Sequence, residues 1–280
     1  MFYLLIAILF SSMLSILMRL SESKIKGNVA MLAVNYVTCT IVAFIDAGAG
    51  NVFTNQSGIG IALVLGLIGG CTYLSSFLLL QYNISKNGVV LPATFMKLGL
   101  LVPTVVSVVI FHERPEILQI VGFALAIIAI VLINSDKKSG CSSDLKVGLL
   151  VALLIFAGLG DAMSKIHEEI GNVALADTFL LFTFGTACVL CIIVMFYKKQ
   201  TPEKWELIFG VLMGVPNYLS SKFLLSALNY LAAVIVFPTF SVGCIVVITL
   251  AGLLLFKEKL TKRQAVALCM ITVALALLNM

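Results

Sequence analysis

Charge is what this chain has least of. Only 11% of its residues are Asp, Glu, Lys or Arg, against roughly 25% in an ordinary soluble domain. No hydrophilic stretch is long enough to hold a soluble catalytic domain. Histidine occurs twice and tryptophan once, which argues against a zinc-ligand set and against an aromatic cage for a quaternary ammonium group. There is no glycine-rich phosphate loop, dinucleotide turn or nucleophile elbow. The pattern therefore calls for no cofactor, no metal, no catalytic residue and no nucleic-acid partner, and an energy source, if any, must be a gradient. A membrane enzyme or flippase acting on a lipid headgroup needs clustered carboxylates or histidines at one interface, and His112 and His167 do not supply them.

What the chain does have is apolar sequence. Sixty-one per cent of its 280 residues are hydrophobic and the mean hydropathy is +1.15, the composition of an integral membrane protein. A span needs about 20 apolar residues to cross about 30 Å of hydrocarbon. Apolar runs between charges and turn residues predict an all-α, polytopic protein with spans at 2–20, 28–46, 58–81, 88–111, 116–134, 146–165, 174–197, 206–228, 233–256 and 262–279. The runs are about twice the length of a barrel strand and lack its alternation. The first run has no basic segment before it and no small-residue cleavage site after it, so it is expected to be a permanent helix. Cys39, Cys71, Cys141, Cys188, Cys191, Cys244 and Cys269 lie mostly inside apolar runs and read as small packing residues rather than a disulfide framework.

The chain also repeats itself. Tyr73-Leu74-Ser75-Ser76 recurs 145 residues later as Tyr218-Leu219-Ser220-Ser221, and Thr104, Phe111, Glu113, Gln119 and Asn134 meet identical residues at the same spacing. The polar stretch 136–145 separates a first five-helix repeat (1–135) from a second (146–280). Because each copy holds an odd number of spans, the two are expected to lie upside down relative to each other, as inverted repeats do in membrane transport.

Basic residues set the expected orientation. Loops after odd-numbered spans carry fourteen Lys or Arg, from Arg19 to Arg263, while the other loops carry only Arg114 and Lys165. The positive-inside rule then places the odd loops in the cytoplasm and both termini outside.

Phe111-His112-Glu113-Arg114-Pro115 and Phe256-Lys257-Glu258-Lys259-Leu260-Thr261 each end one span and open another that finishes in Asn. In these turns, and over its full length, the chain resembles the EamA-type transporters of the drug/metabolite transporter superfamily. The resemblance implies a ten-helix carrier of small metabolites in a bacterial plasma membrane, working by alternating access around a cavity walled mainly by helices 1, 3, 4, 6, 8 and 9. It also implies cytoplasmic termini, against the charge count, which is preferred here. Locally, Glu113 and Glu258 read as caps of the helices they open.

Polar groups within the spans are the candidate substrate ligands. Lys97 lies near the middle of the fourth span, where an unpaired charge costs at least about 2.5–3.5 kcal/mol, and Val242 or Gly243 stands at its place in the second copy. It reads as a fixed cation for a substrate carboxylate or phosphate or a group that neutralises itself in a coupling cycle, or else as one member of an ion pair or a lysine held neutral. Asp161, read as about a turn from the end of helix 6, has Lys165 at i+4 and is expected to pair with it or to take a proton or a substrate amine. Tyr73, Ser76, Asn217, Tyr218 and Ser221 form the duplicated polar ribbon of helices 3 and 8, and Lys222 can snorkel to the interface. Ser11, Ser12, Ser15, Asn35 and Tyr36 are weaker candidates, and the phenylalanines read as apolar filling. The expected activity is secondary or facilitative transport of amino acids, related zwitterions or organic anions, with export of cationic drugs or nucleotide-sugar-like solutes as the alternative. Expected partners are the small-molecule substrate, membrane lipid and, as an option, a second copy of the chain.

Overall fold

The computed structural model describes residues 1–48, 58–99, 102–103, 117–134, 143–231, 233–257 and 262–277. Among the described residues the chain is all-helical, with ten α-helices: α1 (Phe2–Ser21), α2 (Asn28–Ala47), α3 (Ile59–Asn87), α4 (Val90–Leu98), α5 (Ile117–Asn134), α6 (Ser143–Ile170), α7 (Ala176–Tyr197), α8 (Lys204–Leu228), α9 (Ala233–Leu254) and α10 (Lys262–Leu277). A short 3-10 turn, Val173–Leu175, leads into α7. Six helices, α1, α2, α3, α6, α7 and α8, are long and apolar enough to cross a membrane. The chain is an integral membrane protein.

Local chemistry accounts for the helices. In hydrocarbon every backbone polar group must be satisfied internally, and the hydroxyls of the spans turn inward on their own helix for the same reason. Thr40 donates to the Tyr36 carbonyl at 2.7 Å, Thr94 to Val90 at 2.7 Å and Thr183 to Phe179 at 2.9 Å. One face of each long helix carries exposed Leu, Ile, Val and Phe, such as Leu5, Leu9, Ile41, Ile45, Val64, Ile193 and Phe196, and the opposite face joins the core around Phe77, Phe95, Phe179 and Phe184. In water such a surface would be an aggregation hazard; in lipid it is the solvent-matched face.

Two helices are longer than the hydropathy pattern suggests. α3 continues past residue 81 to Asn87 because Asn83 and Ile84 still turn a buried face inward, and it stops at Gly88, whose φ of 74° suits glycine. α6 starts at Ser143, inside the presumed linker, and continues past residue 165 to Ile170. Its polar last turns are held by Lys165, which pairs with Glu168 at 3.0 Å and Glu169 at 2.5 Å. Asp161 is therefore nine residues from the helix end, about 13 Å at 1.5 Å per residue, and not one turn. Glu113, Glu258, most of the fourth span beyond Leu98 and most of the linker lie outside the described residues.

Helix packing repeats under exchange of helix n with helix n+5. α1 packs on α8 as α3 packs on α6, α2 on α8 as α3 on α7, and α1 on α9 as α4 on α6, while α2–α7, α4–α9 and α5–α10 exchange into themselves. Glycines set the closest of these approaches. A Cβ on Gly70 would stand 2.5 Å from the Thr183 carbonyl of α7, and one on Gly214 would stand 2.5 Å from Thr38 Cβ of α2. Gly66 and Gly210 stand one turn earlier in each copy, so each repeat presents the small-xxx-small face that lets membrane helices meet.

A candidate substrate cavity between the repeats

Lys97 reaches the interior from α4, seven residues after that helix begins, and Asp161 reaches it from α6. Both line one cavity of about 60 Å³. At about 10–15 Å³ per water on this measure, the cavity has room for on the order of four or five waters. Ser11 and Leu14 of α1, Tyr73, Ser76 and Phe77 of α3, Asn217, Ser220, Ser221 and Leu224 of α8, and Phe240 and Ser241 of α9 complete the lining with Met96 and Ala157. Six helices drawn from both repeats thus converge on it.

The two charges are held differently. Lys97 Nζ donates to Ser11 Oγ at 2.8 Å and sits 4.1 Å from the centre of the Phe240 ring, a hydroxyl and a cation–π contact that stabilise an ammonium away from bulk water. No ion pair within 4.0 Å joins it to Asp161, although both line the same space. Asp161 has no hydrogen-bond donor among the described residues, and Lys97 is the charge that acts on it. The expected pairing of Asp161 with Lys165 does not occur, because Lys165 has turned to Glu168 and Glu169. Asp161 is left as an open carboxylate on the cavity wall.

The polar ribbon divides in two. Ser221 donates to the Asn217 carbonyl at 3.3 Å, so its 3.0 Å bond with Tyr73 is donated by the tyrosine hydroxyl. Ser76 donates to the Tyr73 carbonyl at 2.9 Å, and Asn217 Nδ2 reaches Asn35 Oδ1 at 3.4 Å. Tyr73, Ser76, Asn217 and Ser221 line the cavity. Tyr218 and Lys222, named with them from the sequence, do not: the Tyr218 hydroxyl donates to Asp46 Oδ2 at 2.9 Å, and Lys222 Nζ bonds the same oxygen at 2.6 Å with Asp177 3.8 Å away. That cluster ties the C-terminal part of α8 to the end of α2 and the start of α7. Lys222 is therefore half-buried in ion pairs.

At the opposite end of α2, the second repeat caps the first. Glu206 Oε1 accepts the Lys26 N–H at 2.7 Å and the Gly27 N–H at 3.1 Å, and Gln200 Oε1 accepts those of Val29 and Ala30 at 3.1 and 3.3 Å. The N–H groups of Gly27, Val29 and Ala30, which the start of α2 leaves unpaired, are thereby satisfied together with that of Lys26 just before it. The Lys26 ammonium also meets Glu203 at 2.9 Å, and this bond holds its pKa above the ordinary 10.5.

Ser11, Phe240, Ser220, Ser241 and Asp46 carry more of the geometry than their sequence signals suggested. A trace of Phe240 was there to be read, since Thr239-Phe240 repeats Thr94-Phe95 at the 145-residue spacing. Phe95 is fully buried, while its counterpart faces Lys97.

The sequence profile of the EamA-like transporter family matches this chain twice, at residues 1–135 and 146–280. An uncharacterised protein of Haemophilus influenzae is 27% identical over 270 residues, covering 92% of this chain and 91% of that protein. The quaternary ammonium compound-resistance protein QacH of Staphylococcus saprophyticus is 38% identical over 73 residues, 24% of this chain and 68% of that one. A solved crystal structure covers 99% of this chain and 95% of its own with a TM-score of 0.67 at 13% identity, a likeness of fold. Apolar helices, a duplicated sequence and the double match agree: the chain belongs to the EamA-like transporter family and is a membrane transporter of small solutes.

Proposed function

We propose that the chain is a secondary or facilitative carrier, not an enzyme, for small zwitterions such as amino acids and for related organic anions. Its ten helices would act as two inverted five-helix repeats in a bacterial plasma membrane, with both termini outside, rocking about the cavity to expose it to each side in turn. Lys97 takes the substrate carboxylate. Asp161 takes the amine, and Tyr73, Ser76, Asn217 and Ser221 offer hydroxyls and an amide to the rest of the ligand.

One observation carries this reading: an ammonium and a carboxylate on different helices face one cavity without bonding each other. A charge-assisted hydrogen bond in such a place contributes about 1.5–3 kcal/mol, so a ligand presenting one charge of each sign gains at both ends. Leu14, Phe77, Met96 and Leu224 give the cavity apolar walls that suit a small aliphatic substituent between or beside those ends.

The likeness to QacH over 73 residues favours a second reading, export of organic cations, in which Asp161 and the rings of Tyr73 and Phe240 would hold the cargo. The Lys97 ammonium in the same space opposes it by like-charge repulsion. Proteoliposome uptake of radiolabelled amino acids, alongside a quaternary ammonium dye, separates the two. The carrier reading expects saturable amino-acid uptake that Lys97→Met reduces at least tenfold; transport of the dye but of no amino acid would favour the second reading.

A further inference from the structure

We propose that Lys97 and Asp161 make the empty site electrically self-neutral, so that the carrier reorients without a co-transported ion and moves a zwitterion as an electroneutral, uncoupled cargo. This rests on the zwitterion reading above and adds to it how the cycle is driven.

Among the described residues, the cavity holds one ammonium and one carboxylate and no third charged group. Tyr73 is the other titratable side chain there, and its hydroxyl is engaged with Ser221. The matching place in the second repeat, Val242 at the 145-residue spacing or Gly243 with a one-residue slip, carries no charge. The Asp46–Lys222–Asp177 cluster belongs to the far ends of α2, α7 and α8 and does not line the cavity. The formal charge of the empty site is therefore zero.

That sum decides what the return step needs. A cavity lined by Asp161 alone would be anionic when empty, and carrying a lone charge through a low-dielectric path is costly. Such a carrier has to take up a proton or a metal cation before it turns, which couples transport to that ion's gradient. Lys97 removes the need, because the two opposite charges in one enclosure offset each other's field. A zwitterion adds one charge of each sign, so the loaded site also sums to zero and the membrane potential has no net charge to act on.

The mode of compensation matters as much as the sum. Had the two side chains closed into a direct ion pair, the ligand would have to break it. Lys97 is drawn instead towards α1 and α9 by Ser11 and Phe240, which leaves the Asp161 oxygens open. The charges balance at a distance, and both remain available to a ligand.

The test uses the full chain in proteoliposomes, with each of the twenty protein amino acids radiolabelled in turn. Each amino acid of zero net charge that shows saturable uptake is then measured under an inward proton gradient, an inward sodium gradient and a potassium–valinomycin potential. Internal label is expected to stop at the external concentration, and the initial rate to change less than twofold under any gradient. Lys97→Met, whose empty site is anionic, is expected to be stimulated several-fold by an inward proton or sodium gradient. The wild-type measurement decides alone if that variant does not fold. Gradient-driven accumulation above the external concentration in the wild type overturns this inference and leaves the zwitterion reading standing. Absence of saturable uptake for all twenty overturns both.

Discussion

Tyr73 and Tyr218 occupy matching places in the two repeats, in the same Tyr-Leu-Ser-Ser passage, on helices that each cross a partner through a pair of glycines. Their hydroxyls nevertheless meet different chemistry. Tyr73 donates into the cavity wall, to Ser221 of the other repeat, whereas Tyr218 donates outward to Asp46 in an ion-paired cluster at the end of α2. The same split appears one helix on, where Lys97 faces the cavity and its counterpart is Val242. What the repeats share is the backbone geometry that packs helices closely. What they do not share is charge, and charge is what a substrate would meet.

Substitutions that restore or remove the asymmetry should separate these two kinds of residue. The largest effect is expected from Val242→Lys, which copies the Lys97 charge into the second repeat. Val242 packs against the apolar core, and Phe156 stands where Ser11 would have to be. The variant should lose at least about 2.5–3.5 kcal/mol of stability, seen as a lower thermal midpoint in detergent. Unchanged stability would mean that the second repeat tolerates a charge there as the first does.

Asp161→Asn comes next, with a loss of about 10–100-fold in affinity for a transported amino acid, corresponding to a charge-assisted bond of about 1.5–3 kcal/mol, and little change in thermal midpoint. The shared scaffold should behave in the opposite way. Gly70→Leu and Gly214→Leu each force a side chain into a neighbouring helix and should cost a similar amount of stability, about 1–3 kcal/mol, because the two contacts are equivalent. A large inequality between them would break the comparison.

Much of this was legible in the sequence, and the reasons are particular. Span positions follow from apolar runs that lipid requires, so most helix starts and ends fall within a few residues of expectation. Lys97 and Asp161 stood out because a charge in hydrocarbon needs a reason. The partners were harder to see. Asp161 and Lys165 have ideal i,i+4 spacing, yet Glu168 and Glu169 lie nearer the helix end and take the lysine. Tyr218 looked like a cavity residue as part of the duplicated ribbon and Lys222 was a further candidate on the same helix, but Asp46, 172 and 176 positions away in sequence, draws them aside. Contacts set by tertiary packing leave no local periodicity to detect. The close-packing glycines did leave a trace, spaced four apart in both copies.

Smaller effects probe the two tyrosines. Tyr73→Phe should weaken substrate binding a few-fold by freeing Ser221 in the cavity, while Tyr218→Phe should leave affinity unchanged and cost about 1 kcal/mol of stability, since Asp46 keeps Lys222. Equal effects on affinity would show that both hydroxyls serve the site. The smallest effect is expected at the other end of α2, where Lys26 meets Glu203. The folded pKa of Lys26 lies above its unfolded value of 10.5, so the contribution is complete below that pH and is lost as pH rises through the folded value. Glu203→Gln should abolish that small alkaline loss in a pH series of thermal midpoints.

The central claim is that the cavity reads both ends of a zwitterion. It is tested most directly by equilibrium binding of a transported amino acid to the purified protein, set beside its N-acetyl and methyl-ester forms. Two-ended recognition predicts that either blocked form binds at least tenfold more weakly, and that the N-acetyl form loses no further affinity in Asp161→Asn nor the ester in Lys97→Met. Binding of either blocked form as tightly as the parent would contradict it.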